Sequence, residues 1–454
     1  MAIMACIGLP LVSPACGPGL PPDYSVALPQ VVAEGEGQVV VVYQVSEGRG
    51  PVTYVQRLGP DGARLWGEKG VRIDKREPES IATRSVLHAT PRVVGDEAGN
   101  VTIFWSFKGQ IYARKLDGAG KPLWQSEPVA VGTYDIPGLD TATRWTLANN
   151  ATGTTIVWTD EHWDLHVQSV DKDGNLLWTT QPLQVDANEL EAHRDGQGNT
   201  WLLWAEKPSG SIYLQVLDPA GREVWAEPHE LQRDAVPSRE RWDRCTLWLA
   251  ENGPGLMVAA WQRLSDIGDR PLAMRVVSID GEVRSGIGES FFTGRLATLP
   301  KPAGDGTQGL VALWTTNDSI LAQRIDTQGM PAWRREAVVA SGLPNGQVRF
   351  SASNGEADGT VVSWEAPSPT GTVWRAQRID AQGTLLWPGG VDITSATTWS
   401  WRWQWSATVG DGSAILSGVV SYHVDRQSHV QRIAADGSLP WGADGVRLDD
   451  WRED

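Results

Sequence analysis

The chain has 454 residues, with 39 Lys and Arg against 55 Asp and Glu, a net charge of −16. That balance excludes a nucleic-acid or anionic-membrane surface as partner, because both demand a basic face. Three cysteines, Cys6, Cys16 and Cys245, are too few for a disulfide framework or a zinc site.

The first sixteen residues, MAIMACIGLPLVSPAC, form an apolar run too short to span a bilayer. Ser13-Pro14-Ala15 puts small residues at both key positions of a signal-peptidase site, so cleavage is expected after Ala15. Cys16 and Cys6 are alternative lipidation points. Residues 1–27 therefore read as a leader and a Pro/Gly-rich linker. An extracytoplasmic location is expected, secreted, periplasmic or at the cell surface, with membrane contact only through an N-terminal lipid anchor; a disordered cytosolic leader is the competing expectation.

From residue 28 onward one frame recurs. It is QRLGPDGARLWGEKGV at residues 56–71, QRIDTQGMPAW at 323–333, QRIDAQGTLLWPGGV at 377–391 and QRIAADGSLPWGADGV at 431–446. Looser copies are ARKLDGAGKPLW, VQSVDKDGNLLW and LQVLDPAGREVW, and RVVSIDGEVRS has lost its Trp. The turn glycines fall at Gly62, Gly120, Gly174, Gly221, Gly281, Gly329, Gly383 and Gly437, spaced 47 to 60 residues apart. Four residues after each stands Trp66, Trp124, Trp178, Trp225, Ser285, Trp333, Trp387 or Trp441. Upstream lies a second register, an apolar run ending in Tyr43, Trp105, Trp158, Trp204, Trp261, Trp314 or Trp364; the eighth run, AILSGVV, has no aromatic.

Each unit reads as four strands, A to D, with turn signals between them and no helical period. Repetition of such a unit predicts an all-β, eight-bladed β-propeller of four-stranded antiparallel blades, one domain over residues 28–454. Strand A opens the first unit and strand D closes the last, so the ring should shut by blade 8 packing on blade 1. The A–B and C–D turns are short and glycine-dense. The D–A connections (75–90, 132–143, 232–239) and B–C connections (44–51, 262–271, 365–372, 420–428) read as longer and variable. Both sets share one face of an up-and-down blade, where function is expected.

The D-x-x-G-x-x-x-W frame is clearest at Asp117, Asp171, Asp218, Asp326 and Asp380. It resembles the tryptophan-docking repeat of eight-bladed propellers, a group that includes pyrroloquinoline-quinone-dependent alcohol dehydrogenases and the propeller lipoprotein of bacterial outer-membrane assembly. The turn here is a residue shorter than that family's and lacks its Thr-Gly-Lys. The resemblance implies that each indole packs against the neighbouring blade. An indole buries roughly 200 Å², which at about 25 cal/mol/Å² is on the order of 5 kcal/mol before entropy costs.

The two registers take thirteen of 24 Trp. Several others stand beside arginine where A strands begin: Arg144-Trp145, Arg241-Trp242-Asp243-Arg244 and Trp399-Ser-Trp401-Arg402-Trp403-Gln404-Trp405. Alternation would place Trp399, Trp401, Trp403 and Trp405 on one face of their strand. Strand A lines the channel, so Arg144, Trp145, Arg241, Trp242, Trp401, Arg402 and Trp403 are candidates for stacking on a sugar ring or holding an anion. Blade-to-blade packing is the competing expectation for the same residues.

His162, Asp164 and His166 share one side of a strand, a metal-ligand pattern set against solvated loop side chains. Asp171-Lys-Asp173-Gly174-Asn175 resembles a calcium-loop fragment but coincides with a hairpin turn. The chain has no nucleophile elbow, P-loop, HExxH or dinucleotide fingerprint. It also lacks the adjacent cysteine pair of the quinone dehydrogenases. No cofactor and no metal are expected. The function expected is a non-catalytic scaffold binding a protein or surface polysaccharide. A carbohydrate-binding or glycan-processing propeller is the alternative, followed by a quinone-dependent or hydrolytic enzyme.

Overall fold

A computed structural model describes residues 29–450, except 34–36, 48–49, 74–90, 97, 108–109, 125–126, 134–144, 151–152, 161, 180–182, 208, 234–243, 265–272, 285–302, 305–309, 317, 327, 329, 344–349, 354–358, 370, 395–399, 409–410 and 423–424. The described residues form eight antiparallel sheets of four strands, each taken in chain order. Blade 1 is Gln30–Ala33, Val39–Glu47, Gly50–Leu58 and Val71–Arg72; blade 8 is Ser400–Thr408, Ala414–Tyr422, Asp425–Ile433 and Val446–Arg447. First strands of successive blades adjoin one another, those of blades 2 and 3 through the Arg92 to Trp145 bond, and blade 8 adjoins blade 1, so strand A is innermost and the ring is closed. No strand crosses between sheets, as expected from the order of the repeat.

Sequence period explains the core. Strand B runs apolar at both even and odd positions because both of its faces are buried. In Val39–Glu47, Val40 and Val42 pack toward blade 2, while Val39, Val41, Tyr43 and Val45 pack toward blade 8. The result is eight apolar clusters, each lying between two consecutive blades.

The two tryptophan registers lie at opposite ends of these seams. At the turn end, the Nε1 of the indole four residues after each turn glycine donates to a backbone carbonyl two residues before the next blade's turn glycine; Trp178 is within its strand D, and the other six precede theirs. The pairs are Trp66 to Gly118 (3.0 Å), Trp124 to Lys172 (3.1 Å), Trp178 to Pro219 (3.0 Å), Trp225 to Ile279 (2.9 Å), Trp333 to Ala381 (2.9 Å) and Trp387 to Ala435 (3.0 Å). Trp441 closes the ring on Pro60 at 2.9 Å. At the other end, strand-B aromatics pack on the preceding blade's strand D. Trp158 Nε1 donates to Thr133 O at 3.2 Å, and Trp261 Nε1 donates to Gln232 Oε1.

The recurring Gln-Arg pair completes the clamp. Gln377 Nε2 donates to Trp387 O (2.7 Å) and its Oε1 accepts from Trp387 N (2.9 Å), so one buried amide holds the docked segment to its own blade. Arg57, Arg324, Arg378 and Arg432 reach forward to carbonyls of Gly118, Ala381, Gly412 and Gly37 on the next blade. Between blades 5 and 6 both devices are missing: Ser285 stands in the Trp position and Val276 in the Arg position. There Asn252 Nδ2 donates to Asp326 O at 2.9 Å instead.

Three of the predicted long B–C connections are corrected. Strand pairing runs on to Glu47↔Gly50, Ser368↔Gly371 and Tyr422↔Asp425, leaving two residues in each turn. The polar residues Gln44 and Thr53 stand opposite each other in the paired region. They are buried, and Gln44 Nε2 donates to Thr53 Oγ1 across the hairpin at 3.4 Å.

Aspartates build the short turns. Asp171 Oδ1 accepts from Asp173 N and Asn175 N at 2.9 and 2.8 Å; Asp96, Asp160 and Asp218 repeat the arrangement. Burial raises each of these carboxyls, but the hydrogen bonds outweigh it and hold all four below the ordinary aspartate range. Asp449 runs the other way, pushed up by burial. A depressed folded-state value contributes stability that is present above the unfolded value of about 3.9 and lost as pH falls through the folded one. Thermal unfolding followed by circular dichroism should therefore show a melting temperature that is flat near neutrality and declines steadily below about pH 4.

Candidate functional site

Strand direction puts the ends joined by the D–A and B–C connections opposite the indole-clamped turns; residues 75–90, 134–143, 234–239 and 265–271 of those connections lie outside the described residues. Of the sequence-predicted site residues, Trp145 has a described side chain. It is 4% exposed and lies in the cluster between blades 2 and 3 with Phe104, Ile156 and Trp158. Arg92 stacks over it at 5.3 Å, and Arg92 Nη2 donates to Trp145 O at 3.3 Å. Burial lowers the Arg92 pKa, opposed by the negative charge of Glu191. The arginine-on-indole pairing is therefore present, with Arg92 rather than Arg144 as the partner seen.

Arg144, Arg241 and Trp242 lie outside the described residues. Trp401, Arg402 and Trp403 stand on the innermost strand of blade 8. Trp401 pairs with Val420, Arg402 with Val419 and Trp403 with Gly418, and the register then shifts so that Trp405 faces Ser417. A bulge at Gln404 thus interrupts the strict alternation expected through Trp405. Gly418, opposite Trp403, occupies the position that holds the strand-B aromatic in the other blades.

Blade 4 contributes inner-strand residues that the sequence reading passed over. Glu189, Glu191 and His193 alternate along Ala187–Arg194 and are all partly exposed. His193 Nε2 lies 4.0 Å from Glu251 Oε2 on the innermost strand of blade 5. The strict Glu-Leu-Glu-Ala-His alternation was the available signal. Nearby, burial pushes the Cys245 thiol up, reinforced by Glu189, which leaves it a poor nucleophile.

The second group sits on the outer connections of blades 3 and 4. His166 Nε2 is 2.8 Å from Asp160 Oδ2 and its ring stacks on Trp158 at 5.3 Å. His162 is exposed, and among the described residues no group of three His, Cys, Asp or Glu side chains converges to hold a metal. The Asp171 segment is a hairpin turn whose carboxylate is filled by Asp173 and Asn175. Beside the histidine pair, Lys207 Nζ lies 3.3 Å from the centroid of the Trp163 ring.

No protein-family description matches the sequence, and no curated protein matches it. Solved structures are similar in chain path. An ulvan lyase, a polysaccharide lyase, is 10% identical with a TM-score of 0.48, over 91% of this chain and 95% of that one. A eukaryotic initiation factor is 7% identical with a TM-score of 0.46, over 89% and 95%. Prolyl oligopeptidase B from Galerina marginata is 13% identical with a TM-score of 0.44; 87% of this chain matches 55% of that one. This chain thus spans about half the length of the prolyl peptidases it matches. Nothing about activity follows from likeness at this level.

Proposed function

We propose that the chain is a non-catalytic scaffold that binds a protein or a surface polymer through the face carrying its D–A and B–C connections. The supporting observation is a division of labour between the two faces. At the turn end the same few residue types recur from blade to blade and are spent on clamping. At the other end, apart from the strand-B aromatics, the described connections differ from blade to blade: Trp163 and Lys207 stand on those of blades 3 and 4, with His166 beside them. Rigid frames that carry variable connections place recognition on those connections.

Carbohydrate binding through Arg144, Trp145, Arg241, Trp242, Trp401, Arg402 and Trp403 ranks second, because Trp145 is buried between blades rather than open to a sugar. The leader motif supports placing the scaffold outside the cytoplasm. Kinship with the quinoprotein-like propellers is a proposal resting on the indole-to-turn contact alone. To test the main reading, segments 75–90, 134–143 and 234–239 are replaced by short Gly-Asn turns, and both proteins are immobilised against detergent extract and a glycan array. The full chain should retain a polypeptide or polymer that the shortened chain loses. Equal retention by both would contradict the reading.

A further inference from the structure

Two non-glycine residues of the described chain hold left-handed backbone, Trp163 (φ 67°) and Asp186 (φ 47°). Residues in this region cost on the order of 1–3 kcal/mol each and persist where their surroundings over-determine them. Here the surroundings are shared. Ala187 N donates to Trp163 O at 2.9 Å, and Lys207 N donates to Asp186 O at 2.9 Å. Trp163 lies in the B–C connection of blade 3, Asp186 in the D–A connection that follows, and Lys207 in the B–C connection of blade 4. Two backbone bonds therefore knot three connections into one unit on the proposed binding face.

What the knot fixes is an aromatic face with a cation on it. The Lys207 ammonium stands 3.3 Å from the Trp163 centroid, well inside the roughly 6 Å limit for attraction to a ring quadrupole. The indole is half-buried, so part of it faces solvent. Carboxylate residues adjoin it along the chain and through the backbone bonds: Asp164 follows Trp163, Glu206 precedes Lys207 and accepts from Ser209 Oγ at 2.8 Å, and Asp186 is exposed. Asp160 is already committed to its turn and to His166. An indole that already carries a cation, on a segment with acidic neighbours in a chain of net charge −16, suits a positive ligand better than an anionic one.

We propose that Trp163, with Asp164, Asp186 and Glu206, seats a lysine or arginine side chain of a partner protein, and that Lys207 is the tethered occupant this cation displaces. The inference rests on the loop-face reading and names the chemistry of its partner. The Ala187 N to Trp163 O bond does not involve the Lys207 side chain, so it still holds the Trp163 backbone when that side chain leaves, and the seat is preorganised.

The test is fluorescence anisotropy with a labelled octa-lysine peptide, a neutral octa-glutamine control and cellohexaose as competitor, on the full chain at low and physiological salt. Lys207→Met should tighten octa-lysine binding about 3- to 30-fold. Lys121→Met, which makes the same charge change on the exposed turn face, should have much less effect. Trp163→Leu should weaken binding by a similar factor with no change in net charge, and Trp163→Phe, which keeps a ring and reads the same contact should the Leu variant unfold, should fall between. Equal affinity of Trp163→Phe and the parent, or equal tightening by Lys207→Met and Lys121→Met, would overturn the proposal, as would cellohexaose displacing the peptide. Such a failure leaves the loop-replacement result standing, so the two readings can fall separately.

Discussion

Trp441→Ala should cost about 3–5 kcal/mol of unfolding free energy, the range for deleting a buried indole. Its side chain is 9% exposed and joins Val39, Val41, Ile415 and Val430 in the cluster that shuts the ring. The substitution opens a cavity there and leaves the Pro60 carbonyl without its indole donor. Trp387 and Trp225, at 2% and 7% exposed, should behave alike. Trp66, Trp124, Trp178 and Trp333 are half-buried and should cost less. Urea unfolding of the seven alanine variants checks the order. Equal losses at Trp66 and Trp441 would show that burial does not set the value of these contacts.

Gly221→Ala should cost about 3 kcal/mol, although it adds one methyl group. Its φ of 79° lies in the left-handed region, which costs an L-residue roughly 1–2 kcal/mol. The added Cβ would also lie 2.5 Å from the Trp178 ring, an overlap of the kind that costs about 1–3 kcal/mol. Gly389 has a similar φ, and a Cβ there would meet nothing within 4 Å. Gly389→Ala therefore isolates the backbone cost, and urea midpoints should rank parent, Gly389→Ala and Gly221→Ala in descending order. If the two variants match, the indole does not press on the turn.

Much of the frame was legible because it repeats. Apolar runs, seven of the eight ending in an aromatic, located strand B, and the Gly-Trp spacing located the turn after strand C in seven blades, although strand D begins beyond the Trp in six of them. The Gln and Arg of the same frame were equally visible, yet their role was not. Nothing in a dipeptide says that Gln377 turns back on Trp387 while Arg378 reaches forward to Gly412. The B–C connections read as longer and variable, whereas strand pairing continues through polar residues such as Gln44 and Thr53, which bond to each other inside a seam. The proposed cation seat gave no signal. Trp163, Asp186 and Lys207 are far apart in sequence, and left-handed backbone at a tryptophan has no residue signature, unlike the same conformation at glycine.

These points leave one claim beneath the rest: the closing seam is built like an interior seam, and the weakest clamp lies elsewhere. Native-state hydrogen exchange read by mass spectrometry tests this most directly. Peptides covering Val39–Leu58 and Ala414–Ile433 should exchange as slowly as those of Thr200–Leu217. The earliest opening among the described seams should fall between blades 5 and 6, in Leu256–Ser278 and Leu310–Ile325. If exchange instead begins where blade 8 meets blade 1, the ring is not held shut by Trp441 and Arg432, and the account fails.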